Sequence, residues 1–157
     1  LRQNRFTVTL DTCFCDVMEQ CAGPRPQYPE GGTWITGEML DAYTRLHELG
    51  HAHSVESWQD GRLAGGLYGL AIGGAFFAES MFTKVADAGK VALVRLVSQL
   101  QAWGFRIIDC QQSSPHVKRF GAEEIPRSDF IRQLTAALKL PNRLGRWKFD
   151  GEMAREE

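Results

Sequence analysis

The sequence lacks the features that mark membrane, disulfide-rich or strongly charged proteins. No apolar run approaches the ~20 residues that a membrane-spanning helix needs, and we expect no signal peptide. The four cysteines include no CxxC pair, so we predict reduced, partly buried thiols and no disulfide framework. A formal net charge of -1 gives no overall attraction to nucleic acid or membrane. We therefore expect a cytoplasmic protein in which any contact with nucleic acid is local.

The length of the chain predicts a single domain. At 157 residues it can bury roughly two-thirds of its unfolded surface. It opens with Leu1 and enters a strand-like segment almost at once, so we expect a piece of a longer protein. We predict a domain over 1–145 and a tail over 146–157. The aromatic residues of the tail are expected to pack in part against the domain.

The first half of the chain predicts a strand, two helices and an antiparallel meander. Period-two alternation predicts a strand over 5–10, followed by a helix that Asp11 or Thr12 caps. Prolines and glycines predict a loop over 22–32, and helical spacing resumes over 39–49. The meander consists of predicted strands over 53–58, 63–72 and 75–79, joined by turns at 60–61 and 73–74.

The second half predicts a long helix and a short apolar strand. The helix starts at Asp87 and ends at Trp103, and the almost wholly apolar run over 105–110 predicts a buried strand. A short helix over 115–120, a strand over 123–125 and a helix over 128–138 follow. The fold class is α/β (α+β), with one mixed, largely antiparallel sheet and helices on both faces. This order resembles the N-acetyltransferase-like fold.

Acetyl-coenzyme A enzymes of that fold use a glycine-rich turn to hold pyrophosphate at a helix N-terminus. The matching segment, Thr83 to Lys90, has the sequence TKVADAGK and departs from that pattern. We therefore predict that the protein does not use coenzyme A.

The segment 47–51, HELGH, matches the H-E-x-x-H pattern of zinc proteases. That chemistry needs both histidines on one rigid helical face, but Gly50 ends the predicted helix between them. The extended form of the motif would need glycine and histidine where the chain has Ser54 and Ser57. We predict no metal, and imidazoles that lie near the last carbonyls of a helix.

Glu79 and Asp109 are the candidate reactive carboxylates. Glu79 lies in an otherwise apolar segment, where a carboxylate is either paired internally or recognises a cation. Asp109 ends the predicted buried strand, where ligands commonly meet reactive groups. Gln111 shares the face of Asp109 by period two and can orient it or a substrate carbonyl. The aromatic Trp34 either stacks on a base or covers the core.

Several motifs together are similar to the leucyl/phenylalanyl-tRNA–protein transferase family. They are HELGHAHSVESW, GGLYGLA, FFAESMFT, IIDCQ and HVKRFGAEEIPR, in that order over about residues 5–145. The resemblance implies an acetyltransferase-like catalytic domain that needs no metal or cofactor. It implies transfer of leucine or phenylalanine from charged tRNA to proteins that begin with arginine or lysine, which marks them for degradation.

The resemblance also implies roles for particular residues. Asp109 is the main catalytic carboxylate, Gln111 assists it, and Glu79 holds the cationic side chain or amine of the acceptor. Trp34 stacks on the terminal adenosine of leucyl-tRNA or phenylalanyl-tRNA. The apolar side chain of the amino acid enters a pocket lined by Leu67, Phe76, Ala78, Met81, Leu93 and Ile108.

Departures from the family pattern affect small and apolar positions. Leu67 stands where methionine is common, Ala78 where glycine is common, Gly89 where serine is frequent and Phe120 where leucine is usual. We expect these to shift the preference between leucine and phenylalanine. The family's smaller N-terminal domain is expected to be absent from this chain. The alternative function is a non-catalytic module that binds basic protein N-termini.

Overall fold

The computed structural model describes residues 5–23 and 34–151. Most of the predicted loop over 22–32, and the end of the predicted tail, lie outside the described residues. The five strands are β1 (Thr7–Leu10), β2 (Ala52–Gln59), β3 (Arg62–Ile72), β4 (Ala75–Thr83) and β5 (Ile107–Asp109). The five helices of the described residues are α1 (Phe14–Ala22), α2 (Gly37–Glu48), α3 (Ala88–Ala102), α4 (Pro115–Lys118) and α5 (Arg127–Ala137).

One mixed sheet organises the molecule. Its strand order is β1-β2-β3-β4-β5, with every neighbouring pair antiparallel except the parallel pair of β4 and β5. A parallel neighbour needs a crossover connection, and α3 supplies it. The predicted mixed, largely antiparallel sheet is therefore confirmed.

Helices cover both faces of the sheet, as predicted. On one face, α3 packs its apolar side chains against β-strand residues such as Val55, Leu67 and Phe76. On the other face, α1 and α2 pack around Tyr68. Two core residues, Trp147 and Phe149, come from the C-terminal segment and are only 3% and 4% exposed. The described part of that segment therefore belongs to the core.

Close contact between α3 and β3 depends on glycine. A Cβ built on Gly65 would lie 2.7 Å from the Gly89 nitrogen at the start of α3, and one on Gly89 would lie 2.4 Å from Thr83 Oγ1. Both distances are too short for any side chain. Gly89 therefore allows a close approach of helix and sheet.

Some sequence-based predictions were wrong in detail. The run 105–110 forms a strand only over Ile107–Asp109, and it is a half-buried end strand of the described sheet instead of a buried one. Residues 123–125 are exposed and form no strand. Neither Asp11 nor Thr12 is the N-cap residue of α1, which is Cys13 and makes no side-chain capping bond.

The N-terminal end of α1 is capped by a side chain from β2 instead. Glu56 is 0% exposed, and its carboxylate accepts bonds from the Thr12 and Cys13 backbone. The hydroxyls of Thr9 and Ser54 donate to the same carboxylate at 2.6 and 2.5 Å. A buried acid thus satisfies helix donors that would otherwise lack partners.

Asp11 joins three distant segments through its buried carboxylate. It adopts a positive φ of 53° and is 3% exposed. Its oxygens lie 2.8 Å from His53 Nδ1 and accept N–H bonds from Ser54 at 2.9 Å and Trp147 at 2.7 Å. The His53 ring also stacks on the Trp147 indole at 3.5 Å. This cluster attaches the C-terminal segment to the sheet.

Replacing Asp11 with alanine is expected to destabilise the fold. The change leaves buried donors on His53, Ser54 and Trp147 without an acceptor, so we expect a loss of about 3 kcal/mol in the free energy of unfolding. Urea unfolding measures this quantity. Asp41→Ala, at an exposed position of α2, is the matched control and should change it by less than about 0.5 kcal/mol. Equal effects of the two substitutions would contradict the role of Asp11.

The stability difference between the parent chain and Glu56→Gln is expected to depend on pH. Burial raises the pKa of Glu56 above its ordinary value of 4.5, although hydrogen bonds from Ser54 and Thr9 oppose this. Because the folded state favours the protonated acid, the parent loses stability as pH rises from about 4.5 through the folded pKa. Glutamine does not titrate. The free energy of unfolding of the parent minus that of the variant should therefore fall as pH rises, and a constant or rising difference would contradict the prediction.

Candidate active site

The two candidate carboxylates lie near the point where β5 ends and β4 continues alone. Phe77 of β4 pairs with Asp109, the last residue of β5, and β4 continues for six residues to Thr83. Phe76 packs on the α3 side, so Phe77 and its partner Asp109 face the side of α2. Glu79 contacts Tyr43 of α2 and faces the same side. Strand spacing of about 4.8 Å and a rise of about 3.3 Å per residue put the Cα atoms of Glu79 and Asp109 roughly 8 Å apart. One small substrate can therefore contact both carboxylates.

A β-bulge sets the orientation of Glu79. Gly69 pairs with Ala78 and Tyr68 pairs with Ser80, so Glu79 is the extra residue on β4. A bulge interrupts the ladder and redirects the side chain at that point. Here it directs the carboxylate toward α2, where the Tyr43 hydroxyl donates a hydrogen bond to Glu79.

Tyr43, which lies in the predicted helix over 39–49, was not identified from the sequence as the partner of Glu79. Burial raises the pKa of Tyr43 to about 12, and the charge of Glu79 and their hydrogen bond also raise it. The Tyr43 ring makes edge contacts with Tyr68 at 5.4 Å and with Trp34 at 6.4 Å. No sequence pattern signals that a helical core tyrosine turns its hydroxyl to a carboxylate 36 residues later.

Trp34 is half-exposed at the rim of this aromatic group. Its side chain is 49% exposed while one edge contacts Tyr43. The structure therefore brings Trp34, Tyr43 and Glu79 into one neighbourhood. An exposed indole face beside a carboxylate can stack on a planar ring while the carboxylate contacts a cation.

Asp109 is oriented by the backbone of Gln111. The Gln111 N–H donates to Asp109 Oδ1 at 2.7 Å, which forms an Asx-turn. Gln111 adopts a positive φ of 61°, which is uncommon for a residue with a side chain. Strained backbone of this kind often accompanies functional sites. The turn fixes one carboxylate oxygen and leaves the other available.

Cys110 lies between these two residues and is not a nucleophile. Its pKa is raised by burial and further by the negative charge of Asp109. The thiol is therefore protonated near neutral pH and poorly reactive. The groups at this turn that can act on a substrate are therefore the Asp109 carboxylate and the Gln111 side-chain amide.

A cleft of about 840 Å³ runs beside β5. Its walls are the segment 106–113 and parts of 117–133. Asp109 and Gln111 line it, whereas Glu79 and Trp34 do not. At its far wall Glu124 accepts a bond from the Ser113 hydroxyl at 2.6 Å and pairs with Lys118 at 2.7 Å.

The residues predicted to line an apolar pocket belong to one cluster on the α3 face of the sheet. Leu67 and Phe76 are fully buried and Leu93 is 7% exposed. The other three, which are Ala78, Met81 and Ile108, are half-buried and pack against that cluster. Ile108 also lines the cleft, so it connects the cluster to the Asp109 end of β5.

The H-E-x-x-H segment has structural contacts. The helix α2 ends at Glu48, and Gly50 has a positive φ of 81°, so His47 and His51 do not share a helical face. His47 Nδ1 lies 2.8 Å from the Ala52 carbonyl, and Glu48 pairs with Arg45 at 2.8 Å. Across residues 5–23 and 34–151, no three potential ligand side chains gather at one point to hold a metal ion.

No helix in the described part of the chain is long and apolar enough to cross a membrane. All four cysteines are free thiols, as the sequence predicted.

Comparison with known proteins identifies related sequences. A family model described as leucyl/phenylalanyl-tRNA protein transferase matches residues 1–135. A curated relative named leucyl/phenylalanyl-tRNA–protein transferase, from Nitratidesulfovibrio vulgaris (strain DP4), is 58% identical over 149 residues. That alignment covers 94% of this chain and 63% of the relative. A relative with the same name from Anaeromyxobacter sp. (strain Fw109-5) is 53% identical over 150 residues, covering 96% and 63%. The chain thus spans about 63% of the length of these relatives.

Similar solved structures share the fold. An aminoglycoside acetyltransferase from an uncultured soil metagenomic sample, in complex with sisomicin, matches with a TM-score of 0.59 and 11% identity. The match covers 80% of this chain and 95% of that chain. A second soil acetyltransferase matches with a TM-score of 0.52 and 12% identity, covering 78% and 95%. At such low identity the likeness shows the fold alone, and the predicted acetyltransferase-like fold is confirmed.

The contact between Glu79 and Tyr43 predicts a measurable change in tyrosine titration. In Glu79→Gln the negative charge that helps to raise the pKa of Tyr43 to about 12 is removed, so this pKa should fall. Burial, the largest cause, remains and should keep it above the ordinary value of 10.0. NMR of ring-labelled tyrosine follows Tyr43 through alkaline pH. An unchanged pKa in the variant would contradict this contact.

Proposed function

The chain belongs to the leucyl/phenylalanyl-tRNA protein transferase family, and from this premise we propose that it is an aminoacyltransferase. It moves leucine or phenylalanine from charged tRNA to the N-terminal amine of a protein that begins with arginine or lysine. The acceptor is thereby marked for degradation. The observation that carries the proposal is the pair of carboxylates, Glu79 on a bulge and Asp109 on an Asx-turn, that face one side of the sheet.

The reaction is the aminolysis of an activated ester. The neutral amine of the acceptor attacks the ester carbonyl, a C–N bond forms and the C–O bond to the terminal ribose breaks. The amine nitrogen loses one proton and the departing ribose oxygen gains one, so no net proton is consumed. The enzyme chiefly has to align the two substrates and stabilise the positive charge on the attacking nitrogen.

In this scheme Asp109 binds the attacking amine. The Gln111 N–H fixes one of its oxygens at 2.7 Å, and the other can accept a hydrogen bond from the ammonium-like nitrogen. The Gln111 side chain assists by contacting the amine or the ester carbonyl. Asp109 thus orients the nucleophile and stabilises its developing charge.

Glu79 suits the basic side chain of the acceptor. Its carboxylate is half-buried and its known contact is with neutral Tyr43, which does not cancel its charge. A guanidinium or ammonium group can therefore pair with it in a charge-assisted hydrogen bond. This supports a preference for arginine or lysine at the acceptor N-terminus.

In the proposal, apolar residues and Trp34 bind the donor substrate. In the proposal the leucine or phenylalanine side chain enters beside the half-buried Ala78, Met81 and Ile108, with Leu67, Phe76 and Leu93 behind them. Soft methionine and leucine side chains can adapt to either substrate. The half-exposed indole of Trp34 stacks on the terminal adenine, which supports the end of a leucyl-tRNA or phenylalanyl-tRNA as the donor.

Mass spectrometry tests the proposed transfer directly. Charged leucine tRNA is incubated with an Arg-starting peptide and either this chain or a chimera. In the chimera, this chain replaces its matching segment in the Nitratidesulfovibrio vulgaris relative, which supplies the remaining length. We expect the peptide to gain one leucine with at least one of the two proteins, and not when it starts with alanine. Binding of the Arg-peptide without any gain in mass would support the non-catalytic alternative and overturn the proposal.

Asp109→Asn is expected to lower kcat/KM for transfer by about 100-fold or more while the fold is kept. The amide preserves the shape of the side chain but lacks the negative charge that stabilises a positive nitrogen. The matched control is Asp16→Asn, an exposed position in the first turn of α1, which should keep parental kcat/KM. Retained transfer in Asp109→Asn would remove Asp109 from the reaction.

A further inference from the structure

The outer edge of β5 presents main-chain groups to the cleft. Among the described residues β5 is the last strand of the sheet and pairs only with β4. The Gly74 carbonyl accepts the Arg106 N–H at 2.7 Å and the Ile107 N–H at 3.4 Å, and Ile107 pairs with Ala75, so Ile107 directs its main-chain groups toward β4. In a strand these directions alternate, so the N–H and C=O of Ile108 point away from β4. The Ile108 side chain packs against the core, whereas its main chain faces outward.

The cleft beside this edge suits a polypeptide better than a polyanion. The same volume of about 840 Å³ that contains Asp109 extends back along β5 to Arg106. Its lining holds three cationic side chains, from Arg106, Lys118 and Arg127, and three carboxylates, from Asp109, Glu123 and Glu124. These charges balance, so the cleft has no net attraction for nucleic-acid phosphates. A neutral main chain, by contrast, finds both donors and acceptors there.

The position of Asp109 fixes the direction in which such a polypeptide runs. If the acceptor amine lies at Asp109, at the C-terminal end of β5, the rest of the acceptor extends along the cleft toward Arg106. That direction is opposite to the direction of β5. The acceptor and β5 are therefore antiparallel, which is a stable arrangement for strand pairing.

We propose that the acceptor polypeptide adds to the outer edge of β5 as an antiparallel strand, with its second residue paired with Ile108. This inference rests on the proposed function and identifies how the same site holds the acceptor behind its N-terminal residue. The second residue donates its N–H to the Ile108 carbonyl, and its own carbonyl accepts a hydrogen bond from the Ile108 N–H. The first residue then lies opposite Asp109, with its amine at the carboxylate.

Strand addition explains how one site can accept many proteins. Main-chain hydrogen bonds supply affinity without selecting side chains. Only the N-terminal residue, next to Glu79 and Asp109, is then selected by its chemistry. The second and third acceptor residues should vary widely without loss of transfer.

N-methylated acceptor peptides test the pairing. Methylation at the second residue removes the N–H that faces Ile108 and adds bulk at the strand edge, so kcat/KM should fall roughly tenfold or more. Methylation at the third residue is the matched control, because that N–H points away from β5 in an antiparallel pair, and it should leave kcat/KM within about twofold. Equal losses at both positions, no loss at either, or a loss only at the third residue would overturn the proposal.

A binding measurement separates this proposal from the proposed function. Hydrogen exchange of the Ile108 amide is followed by NMR in the presence of the unmethylated Arg-peptide and of the peptide methylated at its second residue. Protection of Ile108 by the first peptide and not by the second supports strand addition, even if no leucine is transferred. Transfer to the unmethylated peptide without protection of Ile108 would leave the proposed function standing and overturn strand addition.

A substitution in the cleft provides a test on the protein side. Ala122 lines the cleft, so Ala122→Phe should fill part of it while Asp109 and Gln111 keep their own side chains. We expect at least a tenfold lower kcat/KM for an Arg-starting hexapeptide and an unchanged value for arginine amide, which has no second residue. Ala102→Phe, at an exposed position at the end of α3, is the matched control and should leave both values unchanged. Equal losses for the hexapeptide and arginine amide in Ala122→Phe would contradict strand addition.

Discussion

The parallel pairing of β4 with β5 is the constraint on which the candidate site depends. Because the two strands are neighbours, Asp109 lies opposite Phe77, two residues before Glu79 on β4. The pairing requires the buried crossover helix α3, and Gly65 and Gly89 let that helix approach the sheet closely. It also leaves the other edge of β5 without a partner strand among the described residues. One topological feature thus supplies both the reactive groups and the edge proposed to receive the acceptor.

Two parts of the sheet are stabilised in different ways. Beside β2, Asp11, His53 and Trp147 form a buried cluster with short, mutually satisfied contacts. On β4 and directly after β5, the backbone is irregular, with a bulge at Glu79 and a positive φ at Gln111. A well-packed core can maintain such irregular backbone, which costs free energy locally.

Local sequence signals predicted much of the fold, and their success has a physical reason. The turn at 60–61 and the helix end at Gly50 depend on backbone preferences of one or two residues, so a pattern reveals them. The shortness of β5, the bulge at Glu79 and the capping of α1 by Glu56 depend on contacts between segments far apart in the chain. The candidate carboxylates were predicted from their apolar context, but the orientation of Glu79 toward Tyr43 could not be. That orientation is created by pairing between β3 and β4.

The central claim is that Glu79 and Asp109 serve one substrate site, and NMR titration with arginine amide tests it most directly. The backbone amide of Glu79 reports on β4, and that of Gln111 reports on the turn after β5. If the account is right, both signals shift as arginine amide is added and both fit the same dissociation constant. Shifts at only one of them, or shifts confined to Gly50 and Gly145, which lie beside each other just before β2, would contradict it.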